Sequence, residues 1–190
     1  MALVVLVGLL VLIVIAVGYL VGIYNQLVQI KVNVDKSWAN IEVLEKQRYD
    51  EIPKLVKVCE GYMQYERGTL EKVIAARGSF LQARGPADMA QAGAEMAGAL
   101  KSLFALAEAY PDLKANQNFA QLQQRVSALE NEIADRREFY NESVTIHNAR
   151  IQQVPYLFLA GTLSMTQREM YKVAPAEKAS PEIKFAMPAA

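Results

Sequence analysis

The sequence predicts an all-α protein, with an N-terminal transmembrane helix followed by an up-and-down bundle of three long helices. Two observations indicate this fold class. One is an uncharged apolar run at residues 2–23, and the other is the recurrence of apolar residues in steps of three and four along most of the remaining chain. Between residues 24 and 84, no stretch alternates apolar and polar side chains for long enough to indicate a β-strand.

The apolar run predicts a membrane anchor over residues 1–23. Residues 2–23 carry no charge and are long enough, at about 1.5 Å per residue, to cross a hydrocarbon core of about 30 Å. A cleaved signal peptide is the alternative, but it needs a basic segment before a shorter apolar run, and no Lys or Arg precedes this one. We therefore expect an uncleaved anchor that contacts the lipid bilayer through residues 2–23.

Basic residues near the anchor predict its orientation. Lys31 and Lys36 follow the apolar run, and no basic residue precedes it. The positive-inside rule then places the C-terminal domain in the cytoplasm and the short N terminus outside. We expect a single-pass protein of the bacterial plasma (inner) membrane.

The remaining 24–172 segment is predicted to form the helical domain. The first helix covers about 24–84, and Pro53 either kinks it or breaks it, because proline removes one helical hydrogen bond. The further elements are a helix at 86–110, a helix at 116–154, a short apolar segment at 156–171 and a disordered tail at 173–190. The short apolar segment extends the bundle, covers an interface or lies on the bilayer surface.

The unequal lengths of the predicted helices suggest self-association. A straight first helix would extend well beyond the second, which leaves Trp38 and Ile41 without partners unless other chains supply them. Tyr156 and Phe158, in the short apolar segment, are further candidate oligomer contacts. Alternatively, the first helix breaks at Pro53 and folds back, but we favour a homo-oligomer.

Composition argues against several functional classes. Lysine plus arginine equals aspartate plus glutamate at 20 each, so no basic surplus favours nucleic acid. The single cysteine, Cys59, and the single histidine, His147, allow neither an internal disulfide nor a His-rich metal cluster. P-loop glycines, Rossmann glycines and a nucleophile elbow are all missing from the sequence. We expect no cofactor and no enzymatic activity.

Polar residues on or near the apolar stripes form a candidate polar interior of the bundle. Its members are Arg48, Glu66, Arg77, Arg136 and His147. They would either bind a polar ligand or ion, or form buried ion pairs that fix the register of the helices. We favour the ion pairs.

Several motifs, spread in order along nearly the whole chain, resemble the LemA family. They are residues 24–28 (YNQLV), 38–41 (WANI), 46–56 (KQRYDEIPKLV), 60–62 (EGY), 110–116 (YPDLKAN), 130–133 (ENEI), 139–141 (FYN) and 181–185 (PEIKF). The resemblance implies a membrane helix followed by a helical bundle, but no agreed molecular function. One relative belongs to a magnetosome membrane set, which suggests a membrane-organising role. Lys54, Tyr65 and His147 depart from the family pattern.

Two functions remain open at this point. The first is a self-associating structural or scaffolding protein that organises the membrane or other membrane proteins. The second is a monomeric adaptor that recruits a membrane partner such as a protease.

Overall fold

The computed structural model describes residues 1–172, and within them six helices and no strand occur. The helices are α1 (Ala2–Glu60), α2 (Arg67–Gln82), α3 (Gly85–Ala107), α4 (Pro111–Lys114), α5 (Gln117–Arg150) and α6 (Tyr156–Thr162). The predicted all-α fold class is therefore confirmed, with a long helix that begins in the apolar run and further helices after it. The predicted tail at 173–190 lies outside the described residues.

The N-terminal part of α1 differs from the rest of the helix in its exposure. Residues 2–21 are all exposed, although they are almost entirely apolar. Among the described helices, α1 is the one long and apolar enough to cross a membrane. From Ile23 onward, side chains three or four residues apart are buried, as in Leu27 and Val34. A single helix therefore joins the candidate span to the helical domain.

The first helix is continuous through Pro53 but ends at Glu60, so the single helix predicted over about 24–84 is wrong. Residues 61–66 form turns, in which the Met63 N–H donates to the Cys59 carbonyl at 2.8 Å. Gly61 is the first residue of these turns, and glycine weakens a helix by about 1 kcal/mol relative to alanine. Met63 is fully buried, so packing also favours the break.

The chain divides into two compact units. The first unit contains Met1–Glu45 and Glu132–Met170. In it, the early part of α1 packs beside the later part of α5, with the rings of Trp38 and Tyr140 5.2 Å apart. After α6, residues 163–170, called here the return segment, run back along α5.

The second unit contains Lys46–Asn131 together with Tyr171 and Lys172. Its apolar core draws on α1 to α5 and includes Leu55, Leu103 and Val126, all fully buried. Helix α3 begins at Gly85, whose φ of 78° lies in the left-handed region that glycine adopts without strain.

Short local contacts set the remaining helix boundaries. The side-chain oxygen of Asn116 accepts the backbone N–H groups of Asn118 and Phe119 at 2.9 and 3.1 Å, which caps the start of α5. The one-turn helix α4 lies between the predicted helices at 86–110 and 116–154, where the sequence predicted no helix. Helix α5 ends at Arg150, earlier than the predicted 154, and only 156–162 of the short apolar segment is helical.

Candidate functional site

Arg48 forms an ion pair inside the second unit. Its side chain is 3% exposed, and its Nη1 lies 2.5 Å from Oε1 of Glu130, which is 27% exposed. The pair joins α1 to α5. An isolated charge at this depth would be strongly disfavoured, so each group depends on the other. Arg48 therefore stabilises one register between the two helices.

Arg77, on α2, has an aromatic partner. Its guanidinium carbon lies 4.0 Å from the centre of the Tyr49 ring, in cation–π geometry. The Tyr49 ring in turn lies 6.4 Å from that of Phe80. The Nε of Arg77 is buried and has no hydrogen-bond partner within the described part of the chain. Arg77 thus connects α2 to α1 through an aromatic face.

Glu66 lies immediately before α2, in the turns that follow α1, and is half-buried. Its Oε1 accepts a hydrogen bond from the Tyr110 hydroxyl at 3.2 Å. Desolvation, and then the negative charge of Glu66, raise the pKa of Tyr110. Nearby, the Asn116 amide donates to the Tyr62 hydroxyl at 2.9 Å. These bonds hold the turns after α1 against the turns before α5.

In the first unit, the buried ion pair involves Arg137 and not Arg136. Arg136 is exposed, so its predicted place in the interior is wrong. Arg137 Nη2 lies 3.1 Å from Oε1 of Glu45, whose side chain is fully buried. A seven-residue repeat continued from Val126, Leu129 and Ile133 places Arg136 on the buried face of α5. An α-helix has 3.6 residues per turn, so its buried face shifts gradually away from such a repeat. Arg137, four residues after Ile133 and three before Tyr140, therefore faces inward.

His147 is buried on α5 and contacts the return segment. Its Nε2 lies 3.1 Å from the carbonyl oxygen of Thr166, which only accepts, so Nε2 carries the proton. The neighbouring Asn148 exchanges two hydrogen bonds with the backbone of Arg168, at 2.8 and 2.9 Å. His147 therefore holds backbone in place.

A cavity of about 470 Å³ lies between α1, His147 and the return segment. Lys31 and Asp35 line it from α1, and Arg168 Nη2 pairs with Asp35 at 3.1 Å across it. Tyr140, close to these charges, has its pKa raised, chiefly by burial. The cavity holds groups of both signs and does not select one charge.

The candidate oligomer contacts divide into covered and exposed residues. Ile41 is fully buried inside this chain, so the prediction that it needs another chain is wrong. Trp38 is half-buried, packs against the Tyr140 ring in a tilted arrangement and donates to Oε1 of Glu42 at 2.8 Å. α5 covers this part of α1, because it runs further than the predicted second helix could. Tyr156 is half-buried, and Phe158 is 69% exposed.

The predicted polar residues do not converge on one site. In the second unit, Arg48, Glu66 and Arg77 each contact a different partner, and in the first unit His147 contacts backbone. Across residues 1–172, no three His, Cys, Asp or Glu side chains are grouped so that they could hold a metal ion. Sequence reasoning missed Glu45, although it lies four residues after Ile41, on the apolar stripe.

Comparisons with known proteins define the family. The model of the LemA family matches residues 37–185, which is most of the chain. This chain belongs to the LemA family. The resemblance of its motifs is thereby confirmed. A relative named Protein LemA, from Metamycoplasma hominis, is 27% identical over 158 residues that cover 81% of this chain and 68% of the relative.

The structure gives several of the family-like motifs physical roles in this chain. Residues 60–62 and 110–116 contain the two partners of the Tyr62–Asn116 hydrogen bond. Residues 46–56 and 130–133 contain the two partners of the Arg48–Glu130 ion pair. These LemA-like residues therefore hold helices and turns together.

Proposed function

We propose that this LemA-family protein is a non-enzymatic helical scaffold, anchored in the bacterial plasma membrane by α1, with its helical domain on the cytoplasmic side. One observation carries the proposal. Residues 2–21 of an unbroken helix are apolar and exposed, and from Ile23 onward one face of the same helix is buried in the domain. Exposed apolar surface of this extent is stable in lipid and not in water.

Carbonate extraction of membranes tests the anchoring. We expect the full-length protein to remain in the membrane pellet at high pH, and a variant that lacks residues 2–21 to be released. The two proteins share the same helical domain, so a difference in extraction reports on residues 2–21. Release of the intact full-length chain by carbonate would contradict the proposal.

Protease treatment of spheroplasts tests the orientation. Lys31 and Lys36, just beyond the span, support a cytoplasmic domain. We expect external protease to leave the domain intact until the membrane is permeabilised. Digestion in intact spheroplasts would reverse the orientation and leave the anchoring in place.

For the scaffold's mode of action we favour an adaptor. In each unit, the buried ion pair forms within the chain, and Ile41 is fully buried without a second chain. The second unit exposes Tyr65 (96%) in the turns after α1 and Ile74 (50%) on α2. A cavity of about 500 Å³ beside them is lined by three apolar residues and by polar or charged ones: Met63, Leu70, Ile74, Glu60, Gln64, Arg67 and Glu71. An exposed aromatic side chain beside a cavity with an apolar floor and a charged rim is typical of a protein-binding surface.

Co-purification from solubilised membranes tests the adaptor. We expect one stoichiometric membrane protein to co-purify with the wild type, and to be lost from a Tyr65→Ala, Ile74→Ser variant. Leu81→Ser, on an exposed side chain of the same α2 helix, is the matched control and should retain the partner. Equal recovery by both variants would remove this surface from the proposal.

Self-association through the span is a second candidate, and it has an observation of its own. Gly18 and Gly22 lie four residues apart in the apolar run, and no side chain approaches either of them. Small residues at this spacing let helices pack closely in lipid. Mass measurement in mild detergent should then show a dimer or larger oligomer that Gly18→Leu, Gly22→Leu disrupts and Gly8→Leu does not. A monodisperse wild-type monomer at micromolar concentration would contradict it.

A further inference from the structure

The part of the first unit between α5 and the return segment is a point of chain reversal. Residues 151–162, called here the α5–α6 corner, follow the end of α5. After the corner, Thr166 contacts His147, and Glu169 accepts a hydrogen bond from the Tyr140 hydroxyl at 2.8 Å, so the chain runs back along α5. The corner is therefore the end of the first unit at which α5 finishes and the chain turns back.

This end lies beside the place where α1 leaves the apolar run. Ile151 and Ala160 share a buried cluster with Ile23 and Leu27 of α1. The Tyr156 hydroxyl also donates to the side-chain oxygen of Gln26 at 2.5 Å. Gln26 is three residues beyond Ile23, which is about 4.5 Å along the helix axis. The headgroup layer on one side of a bilayer is about 5–7 Å thick, so a hydrocarbon core that ends at Ile23 would place Gln26, and with it Tyr156, in that layer.

The corner presents apolar side chains outward. On α6, Tyr156, Leu159 and Ala160 pack inward, whereas Leu157 (46%) and Phe158 (69%) are exposed on the other side of the helix. Just before α6, Val154 is 70% exposed. The guanidinium of Arg150 lies 4.7 Å from the centre of the Tyr156 ring, which places a cation where lipid phosphates would be.

We infer that the α5–α6 corner is a second membrane contact, which inserts Val154, Leu157 and Phe158 into the interfacial layer of the leaflet through which α1 leaves the bilayer. The inference rests on the proposed anchoring by α1. Apolar and aromatic side chains at this depth replace contact with water by contact with acyl chains and headgroups. Such a contact would restrict rotation and tilt of the domain about its anchor.

Fluorescence quenching in vesicles tests the inference on the full-length chain. Single variants Phe158→Cys, Leu157→Cys, Phe139→Cys and Val14→Cys are labelled with an environment-sensitive dye and placed in phosphatidylethanolamine–phosphatidylglycerol vesicles that contain spin-labelled lipid. The native Cys59 is buried, and burial raises its pKa to about 11, so it does not compete for the dye. Phe139 is the matched control, because it is 52% exposed on α5 and about 18 Å before Ile151 along the helix.

We expect blue-shifted emission and loss of intensity by lipid quenching at positions 158, 157 and 14, and water-like, unquenched emission at 139. Quenching at 14 with water-like emission at both 157 and 158 would overturn the inference and leave the anchoring intact. Equal quenching at 139 and 158 would also overturn it, because the contact would not be specific to the corner. Absence of quenching at 14 would overturn the anchoring, and the inference with it.

Discussion

The core of the second unit and the return segment of the first unit are held in place in different ways. The second unit has one apolar core to which α1 to α5 all contribute. In the first unit, no residue of the return segment is buried. Side chains of α5 bind its backbone by hydrogen bonds, and an exposed ion pair joins Arg168 to Asp35 of α1. Each unit also contains one buried ion pair between α1 and α5.

This difference predicts where the protein is stable and where it opens. Apolar burial contributes about 25 cal/mol per Å² and is spread over many contacts, whereas a single hydrogen bond contributes about 1 kcal/mol net. The core of the second unit should therefore open only on global unfolding. The return segment should open locally, in small steps.

The largest expected effect comes from removing one partner of a buried ion pair. Arg48→Ala should lower the free energy of unfolding by about 3 kcal/mol, because Glu130 loses its counter-charge. Urea denaturation followed by circular dichroism measures the change. Lys46→Ala is the control, because the Lys46–Asp50 pair is exposed and should contribute less than about 0.5 kcal/mol. A neutral Arg48→Ala would place Arg48 outside the core.

A cavity in the apolar core of the second unit should cost nearly as much. Leu103 is fully buried, and Leu103→Ala should lower the free energy of unfolding by about 3 kcal/mol through lost contacts and the void. Leu81→Ala, at a side chain that is 63% exposed, should change it by less than about 0.5 kcal/mol. Equal effects of the two changes would contradict the assignment of this core.

A smaller and local effect is expected in the first unit. Asn148→Ala removes both hydrogen bonds to the backbone of Arg168 and should weaken the return segment by at least about 1 kcal/mol, which corresponds to roughly fivefold or faster hydrogen exchange at Arg168. Hydrogen exchange read by mass spectrometry measures it. Glu142→Ala, on an exposed position of the same helix, should leave the rate unchanged. An unchanged rate in Asn148→Ala would show that other contacts hold this segment.

The smallest effect concerns the thiol in the core of the second unit. Burial raises the pKa of Cys59 from 9.0 to about 11, so at pH 8 its thiolate fraction is about 100-fold lower than in the unfolded chain. A chromogenic disulfide reagent should react with Cys59 only after addition of denaturant. The raised pKa also contributes stability below pH 9, which is lost as the pH rises toward 11. Fast reaction of the native protein would contradict the burial.

Features fixed by local sequence could be predicted. The uncharged run at residues 2–23 and the three-and-four spacing of apolar residues indicated helices, and the structure confirms the all-α fold. Features that depend on distant contacts could not. The break after Glu60 depends on burial of Met63, and the covering of Ile41 depends on the length of α5. The return segment has no periodic pattern, because α5 binds it mainly through the backbone groups of Thr166, Arg168 and Glu169.

The candidate polar site shows the same limit. The sequence placed Arg48 and His147 on apolar stripes, and both are buried. Their partners are Glu130 and the backbone of Thr166, which lie 82 and 19 residues away and carry no local signal. Selecting Arg137 over Arg136 required the actual helical phase, which a heptad template does not reproduce.

The central claim is that one unbroken helix passes from the bilayer into the folded domain. Spin labels placed singly at each position from 18 to 32 of the full-length protein in vesicles test it directly, through their accessibility to oxygen and to a water-soluble reagent. We predict a helical period of about 3.6 residues throughout, with the exposed positions changing from lipid to water near residues 22–26. Loss of that period at 21–26, or access from water along the whole range, would contradict the claim.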